Sequence, residues 1–182
     1  MKRNLKKVVI SSQGILLLIT VGLAYYLERS FLEWSFWKGE LPFFNVILYG
    51  LLIGTSIRLF SLVLGEAWPK FKDNMEETVI QLMQGIDKYD LLLISFLPAF
   101  IEEFFFRGVL QPSLGIWLTS FIFAILHWGF VKKLWAHGLH AFLISLFFGW
   151  IYVTTGSLLI TVVAHFTNNL LAALYIEEKI PF

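Results

Sequence analysis

The sequence predicts an all-α protein, a polytopic bundle of about six membrane helices, and three observations support this. Hydrophobic residues make up 58% of the 182 and charged ones 15%, with a mean hydropathy of +0.74. A soluble domain carries about 25% charged residues, so this chain lacks the polar surface to cover a globule in water. The apolar residues also fall into six runs of roughly 18–22 residues, each able at 1.5 Å per residue to cross or nearly cross a hydrocarbon core of about 30 Å. The lysines and arginines, finally, fall mostly between those runs and mostly on one face.

The first run, 8–27, follows the basic segment from Met1 to Lys7. That order resembles a signal peptide, but the run is about twenty residues long and no small-residue cleavage site follows, so a retained helix is expected. The second run, 43–64, contains Arg58, expected to snorkel or to pair with a carboxylate. The connection 65–90 is mixed in charge. Its Val79, Leu82, Met83 and Ile86 recur at helical spacing, which predicts a short amphipathic helix at the membrane surface. Residues 1–90 thus supply two spanning helices and a cytoplasmic amphipathic loop.

Residues 91–182 supply four more helices, at 91–110, 114–131, 134–154 and 157–176, and complete one integrated membrane domain. Their short turns favour antiparallel neighbours. With the N-terminus inside, one face collects Lys2, Arg3, Lys6, Lys7, Lys70, Lys72, Lys88, Lys132, Lys133 and Lys179. The other face has Arg29, Lys38 and the deeply placed Arg107. The positive-inside rule then puts both termini in the cytoplasm. Trp34, Trp37, Trp68 and Trp135 fall near span ends, as an interfacial aromatic belt requires. A net charge of +1 and the lack of cysteine argue against a nucleic-acid partner and exclude disulfides, thiolate metal sites and a cysteine nucleophile. The expected partners are the lipid bilayer and a peptide or protein substrate at the membrane.

Run 91–110 carries a burden the others do not. Glu102, Glu103 and Arg107 sit among thirteen Leu, Ile, Phe and Val residues. Three charges near the centre of a membrane helix cost about 7–10 kcal/mol on insertion scales, and thirteen such apolar residues return about 4–8. The segment needs partners for its charges, and an intramembrane ionisable group reads by default as functional. Glu103 and Arg107, four apart, share a helix face and can pair. Glu102 is rotated about 100° away, which leaves its carboxylate free for another helix. Pro98 removes a backbone donor just before the carboxylates.

Two further clusters lie on other helices: Phe123 with His127, and His165 with Asn169, each at spacing four. A carboxylate, two imidazoles and an amide converging in a dry bundle suit hydrolysis. Glu102 is the candidate general base, with His127 holding the same water. His165 and Asn169 can donate to the oxyanion formed when water attacks a peptide carbonyl. This mechanism requires no cofactor. The same groups also suit zinc, through Glu102, His127 and His165, with one position open.

The ordered set Glu102-Glu103-x-x-x-Arg107, Phe123-x-x-x-His127 and His165-x-x-x-Asn169 resembles the EExxxR, FxxxH and HxxxN motifs of the CPBP family. That family contains the type II CAAX prenyl endopeptidases and the bacterial Abi proteins. The resemblance covers Glu102 to Asn169. It implies an intramembrane protease in which Glu102 activates water with His127, Glu103 and Arg107 complete the first motif, and His165 and Asn169 form the oxyanion site. Members have been described both as metalloproteases and as glutamate-dependent proteases. The best-known eukaryotic members have more spanning helices, so this chain looks like a minimal version. In bacteria, the resemblance implies bacteriocin self-immunity or peptide processing, in the cell membrane.

Blander readings exist for several of these residues. Glu103–Arg107 also reads as a structural ion pair, and Asn168 as an interhelical hydrogen-bonding group. His137 and His140 lie just beyond Lys132 and Lys133 and read as interfacial. Two other functions compete: a non-proteolytic membrane interaction or immunity protein that keeps the motifs, and an ion-coupled transporter. HExxH and GxSxG-like motifs are absent from the sequence, and Asp87 and Asp90 lie outside the runs. One difficulty is geometric. Glu102 is about 18 Å along a helix from Asp90, whereas His127 is about 7 Å from Lys132. The two meet only if the third span starts further out or the fourth extends past Lys133.

Overall fold

In a hydrocarbon core a backbone must satisfy its polar groups within its own segment, which is why apolar runs with few capping residues become helices. The structure, a computed structural model, describes residues 5–28, 41–83, 86–129 and 132–179. Lys2, Arg3, Arg29, Lys38, Trp34, Trp37 and the end of run 114–131 lie outside the described residues. Within them the chain is all α: α1 (Leu5–Tyr26), α2 (Phe43–Ala67), α3 (Pro69–Met83), α4 (Lys88–Glu103), α5 (Gln111–Ala124), α6 (Trp135–Thr155) and α7 (Leu158–Glu177). A π-helical stretch, Phe104–Leu110, joins α4 to α5, and a second, Ile125–Gly129, follows α5. The Asp87 side chain caps α4 by accepting from the Asp90 amide at 2.8 Å, and the Ser157 side chain caps α7. Both satisfy amides that a helix start leaves unpaired.

Five helical runs are long and apolar enough to cross a membrane: Leu5–Tyr26, Phe43–Ala67, Lys88–His127, Trp135–Thr155 and Leu158–Glu177. The chain is a multi-pass membrane protein. The expected spans 91–110 and 114–131 are two arms of the single 40-residue run Lys88–His127. The bend between them is Gly115, at φ +74° and ψ 169°, a conformation that side-chain-bearing residues rarely adopt. The single short turn expected at 111–113 is helical instead, and the break falls at Gly115, within the expected fourth run.

Ion pairs fix which helix ends lie together. Lys6 meets Asp90 at 2.6 Å, Lys133 meets Glu77 at 2.7 Å and Lys179 meets Glu76 at 2.6 Å. The start of α1, the start of α4, the turn before α6 and the end of α7 therefore gather at one basic end, and α3 lies there as the amphipathic helix expected. Up-and-down order demands this arrangement. α7 packs on α2 and α4, α5 on α6, and α1 on α4. The α2–α7 approach is glycine-dependent: a Cβ at Gly50 would meet the Val163 Cβ at 2.6 Å, and one at Gly54 the Thr167 Cβ at 2.6 Å. Gly50 and Gly54 form a GxxxG pattern, which lets membrane helices approach closely.

Arg58, expected to snorkel or to pair with a carboxylate, makes no ion pair among the described residues; its guanidinium stacks on the Tyr175 ring, 4.7 Å from the centroid. His137 and His140 line a pocket of about 350 Å³ near the basic end, with Arg58, Ser95 and Asn169. The His140 Nε2 lies 2.9 Å from the Ser61 hydroxyl, which itself donates to the Ile57 carbonyl, so His140 donates to Ser61. Helix α3 covers part of this end: Phe71 packs on the His140 ring, and Asn74 donates to the Lys133 carbonyl. Helix α4 starts three residues earlier than expected, and Glu102 and His127 do meet, at 3.5 Å.

Candidate active site

The site is built where the α4 run widens. Glu102 and Glu103 end α4, and the π-helical stretch begins at the next residue. A π turn holds an extra residue, so downstream side chains lose the α-helical register, and such turns recur at functional sites. Here Phe105, Phe106, Arg107, Gly108 and Val109 are all buried, five in succession.

Glu103 and Arg107 are sealed, each 0% exposed. The Arg107 Nε lies 3.1 Å from Glu103 Oε2, close enough for an ion pair but not aligned as a hydrogen bond. The other carboxylate oxygen, Oε1, lies 2.9 Å from His165 Nδ1. A carboxylate only accepts, so Nδ1 carries a proton. Arg107 Nη1 donates to the Ser145 hydroxyl at 3.2 Å. Phe148 stacks on the His165 ring at 5.4 Å. These contacts bind α4, α6 and α7 together around one buried ion pair.

Glu102, 8% exposed, points the other way. Its Oε2 lies 3.5 Å from His127 Nε2 and accepts no hydrogen bond, although buried. Its Oε1 accepts from the Gln13 side-chain amide of α1 at 2.9 Å. The His127 ring stacks on Phe123, centroids 3.9 Å apart and 14° from parallel, and its Nδ1 lies 2.8 Å from the Phe123 carbonyl. A carbonyl cannot donate, so Nδ1 bears a proton; in its neutral form the ring turns the Nε2 lone pair toward Glu102, and two acceptors then face each other across a short gap. A single water can donate one proton to each.

Glu102, Glu103, Arg107, His127 and His165 are therefore gathered from the end of α4, the two π-helical stretches and α7. Asn169 is one turn from His165, on the cavity wall, where its side-chain oxygen is 3.5 Å from the Asn168 amide. Sequence reasoning missed Gln13 and Ser145. The signal for Gln13 was a lone amide in an apolar run; Ser145 had none. With both carboxylates ionised and Arg107 charged, the cluster holds one excess negative charge, which an imidazolium at 127 or 165 would neutralise. As for zinc, both imidazoles hold a second partner on Nδ1, as metal-binding histidines do. Among the described residues no three His, Asp or Glu side chains are grouped as a metal set.

A multi-pass helical membrane protein with a buried carboxylate–imidazole site is the class that fold and geometry define. Residues 86–171 match the family model described as type II CAAX prenyl endopeptidase Rce1-like. The part of the chain from the start of α4 to within α7 belongs to that family. The chain is also 32% identical over 124 residues to YpbD of Bacillus subtilis (strain 168), an uncharacterized protein. That alignment covers 67% of this chain and 64% of YpbD, so this chain spans somewhat under two-thirds of its relative. No solved structure matches the chain.

Proposed function

We propose that this protein is an intramembrane endopeptidase that hydrolyses a peptide bond of a membrane-associated protein or peptide. The observation that carries the reading is the 3.5 Å approach of Glu102 Oε2 to His127 Nε2 with Oε2 left without a donor. Water held between them donates to both. As its oxygen adds to the scissile carbonyl, Glu102 takes one proton and the carbonyl becomes an oxyanion. His165 donates to that oxyanion through Nε2 as an imidazolium, its charge balanced by Glu103 at Nδ1, and the Asn169 amide adds a second donor. The proton on Glu102 then passes to the departing amine as the C–N bond breaks, leaving a carboxylate and an amine.

The cavity supports an approach path. Ser95, two turns before Glu102, and Asn169, one turn after His165, both line it, so it lies directly on the basic side of the site. With that end in the cytoplasm, a bacterial substrate would enter from the inner leaflet, in peptide processing or bacteriocin self-immunity. No cofactor is required in this scheme. A chelator is expected to leave cleavage within twofold, and metal analysis of purified protein to find far less than one zinc per chain.

The sealed Glu103–Arg107–His165 network supports a second reading, an interaction or immunity protein that keeps the motifs for folding. Comparative peptidomics of membranes containing the native chain or Glu102→Gln, at equal abundance, separates the two. Products seen only with the native chain support the peptidase. Full biological activity of the Gln variant would overturn it.

A further inference from the structure

The family match begins at residue 86, yet the Glu102 carboxylate is held from α1. We propose that Gln13 is a positioning residue that selects which oxygen of Glu102 meets the water. This rests on the proposed role of Glu102.

Helix α1 is mostly lipid-facing. Its buried residues are Gln13, Thr20 and Ala24, which turn one stripe toward α4. An amide in that stripe is costly in hydrocarbon unless it is hydrogen-bonded. Gln13 is 7% exposed, and its Nε2 donates to Glu102 Oε1 at 2.9 Å. Only the NH₂ of the amide can face an ionised carboxylate, because two oxygens would repel. The bond occupies Oε1 and fixes the carboxylate plane, which leaves Oε2 directed at His127 Nε2 at 3.5 Å. Without it, the carboxylate could rotate about its last bond and present either oxygen.

A leucine at 13 keeps similar volume and suits the apolar stripe, so Gln13→Leu is expected to insert and fold. The charged groups that face Glu102 are His127, Glu103, Arg107 and His165, and all stay in place. The carboxylate infrared band of Glu102, assigned as the band lost in Glu102→Gln, is expected to shift in frequency in Gln13→Leu, where Oε1 no longer accepts a hydrogen bond. Turnover of the peptide identified by peptidomics should fall about 10–100-fold with little change in KM, consistent with misplaced catalytic geometry. Thr20→Val controls for packing, because Thr20 lies in the same stripe and bonds only the Leu16 carbonyl, at 2.7 Å.

A shift in Gln13→Leu with none in Thr20→Val supports the inference. An unmoved band in Gln13→Leu overturns it, as does an equal shift in both variants. If Gln13→Leu does not fold, Gln13→Met carries the same test. The infrared reading needs no turnover, so it decides the role of Gln13 even if Glu102→Gln proves fully active and the peptidase reading fails.

Discussion

Glu102 and Glu103 are neighbours in sequence but occupy different environments. Glu103 is 0% exposed, spanned by Arg107 on one oxygen and His165 on the other. Glu102 keeps one oxygen without a donor, beside an imidazole whose side chain is 29% exposed. A fully sealed ion pair, tied to α7 through His165 and to α6 through Ser145, is a structural clasp. A carboxylate with one oxygen saturated and the other open resembles a base in waiting. The lesson is that one charged motif can divide holding and reacting between adjacent residues, because a helix turns them about 100° apart.

The largest effect should separate the two carboxylates by activity. Glu102→Gln is expected to lower peptide cleavage about 10²–10⁴-fold, the contribution typical of a positioned base, while its thermal midpoint in detergent stays close to native. The clasp should respond in stability instead. Arg107→Met strands a buried carboxylate and is expected to destabilise the fold by about 3–5 kcal/mol. Adding Glu103→Leu should return most of that loss, because an apolar pair of similar volume often replaces a buried ion pair at little cost. Thermal unfolding of the single and double variants measures both. If the double variant is no better than the single, Glu103 is doing more than pairing.

A smaller effect tests the helix that carries His165. Gly54→Val places side-chain atoms against Thr167 and is expected to cost about 1–3 kcal/mol by overpacking, lowering the unfolding midpoint and the activity together. The smallest concerns α3. Burial works to raise the Glu76 carboxyl, but the Lys179 ammonium and the Tyr175 hydroxyl outweigh it and hold the group below the ordinary carboxylate value. A depressed carboxyl contributes stability that is full above its unfolded value and is lost as pH falls through its folded value. Acidification below about pH 4.3 should therefore loosen α3, read as faster hydrogen exchange over Pro69–Met83, and Glu76→Gln should flatten that dependence.

Much of this was legible in the sequence because it depends on periodicity. Spacing four put Glu103 with Arg107 and Phe123 with His127, and a 100° offset turned Glu102 elsewhere. Hydropathy alone located the helices, and basic residues marked their shared end. What escaped depends on tertiary contact or on departures from the α-helix. The π-helical stretch at Phe104–Leu110 has no sequence pattern. The tie from His165 to Glu103, rather than to Glu102, follows from how α7 packs on α4. The packing of Phe71 from α3 on the His140 ring joins residues far apart in the chain and left no local signal. A break near this point was visible as a short turn at 111–113, but its place at Gly115 was not.

The most direct test of a water split between Glu102 and His127 follows where its oxygen goes. Purified protein in liposomes, supplied with its membrane peptide in heavy-oxygen water, should release a product whose new carboxylate carries one solvent oxygen, and Glu102→Gln should release almost none. Equal release of labelled product by the Glu102→Gln variant would contradict the account.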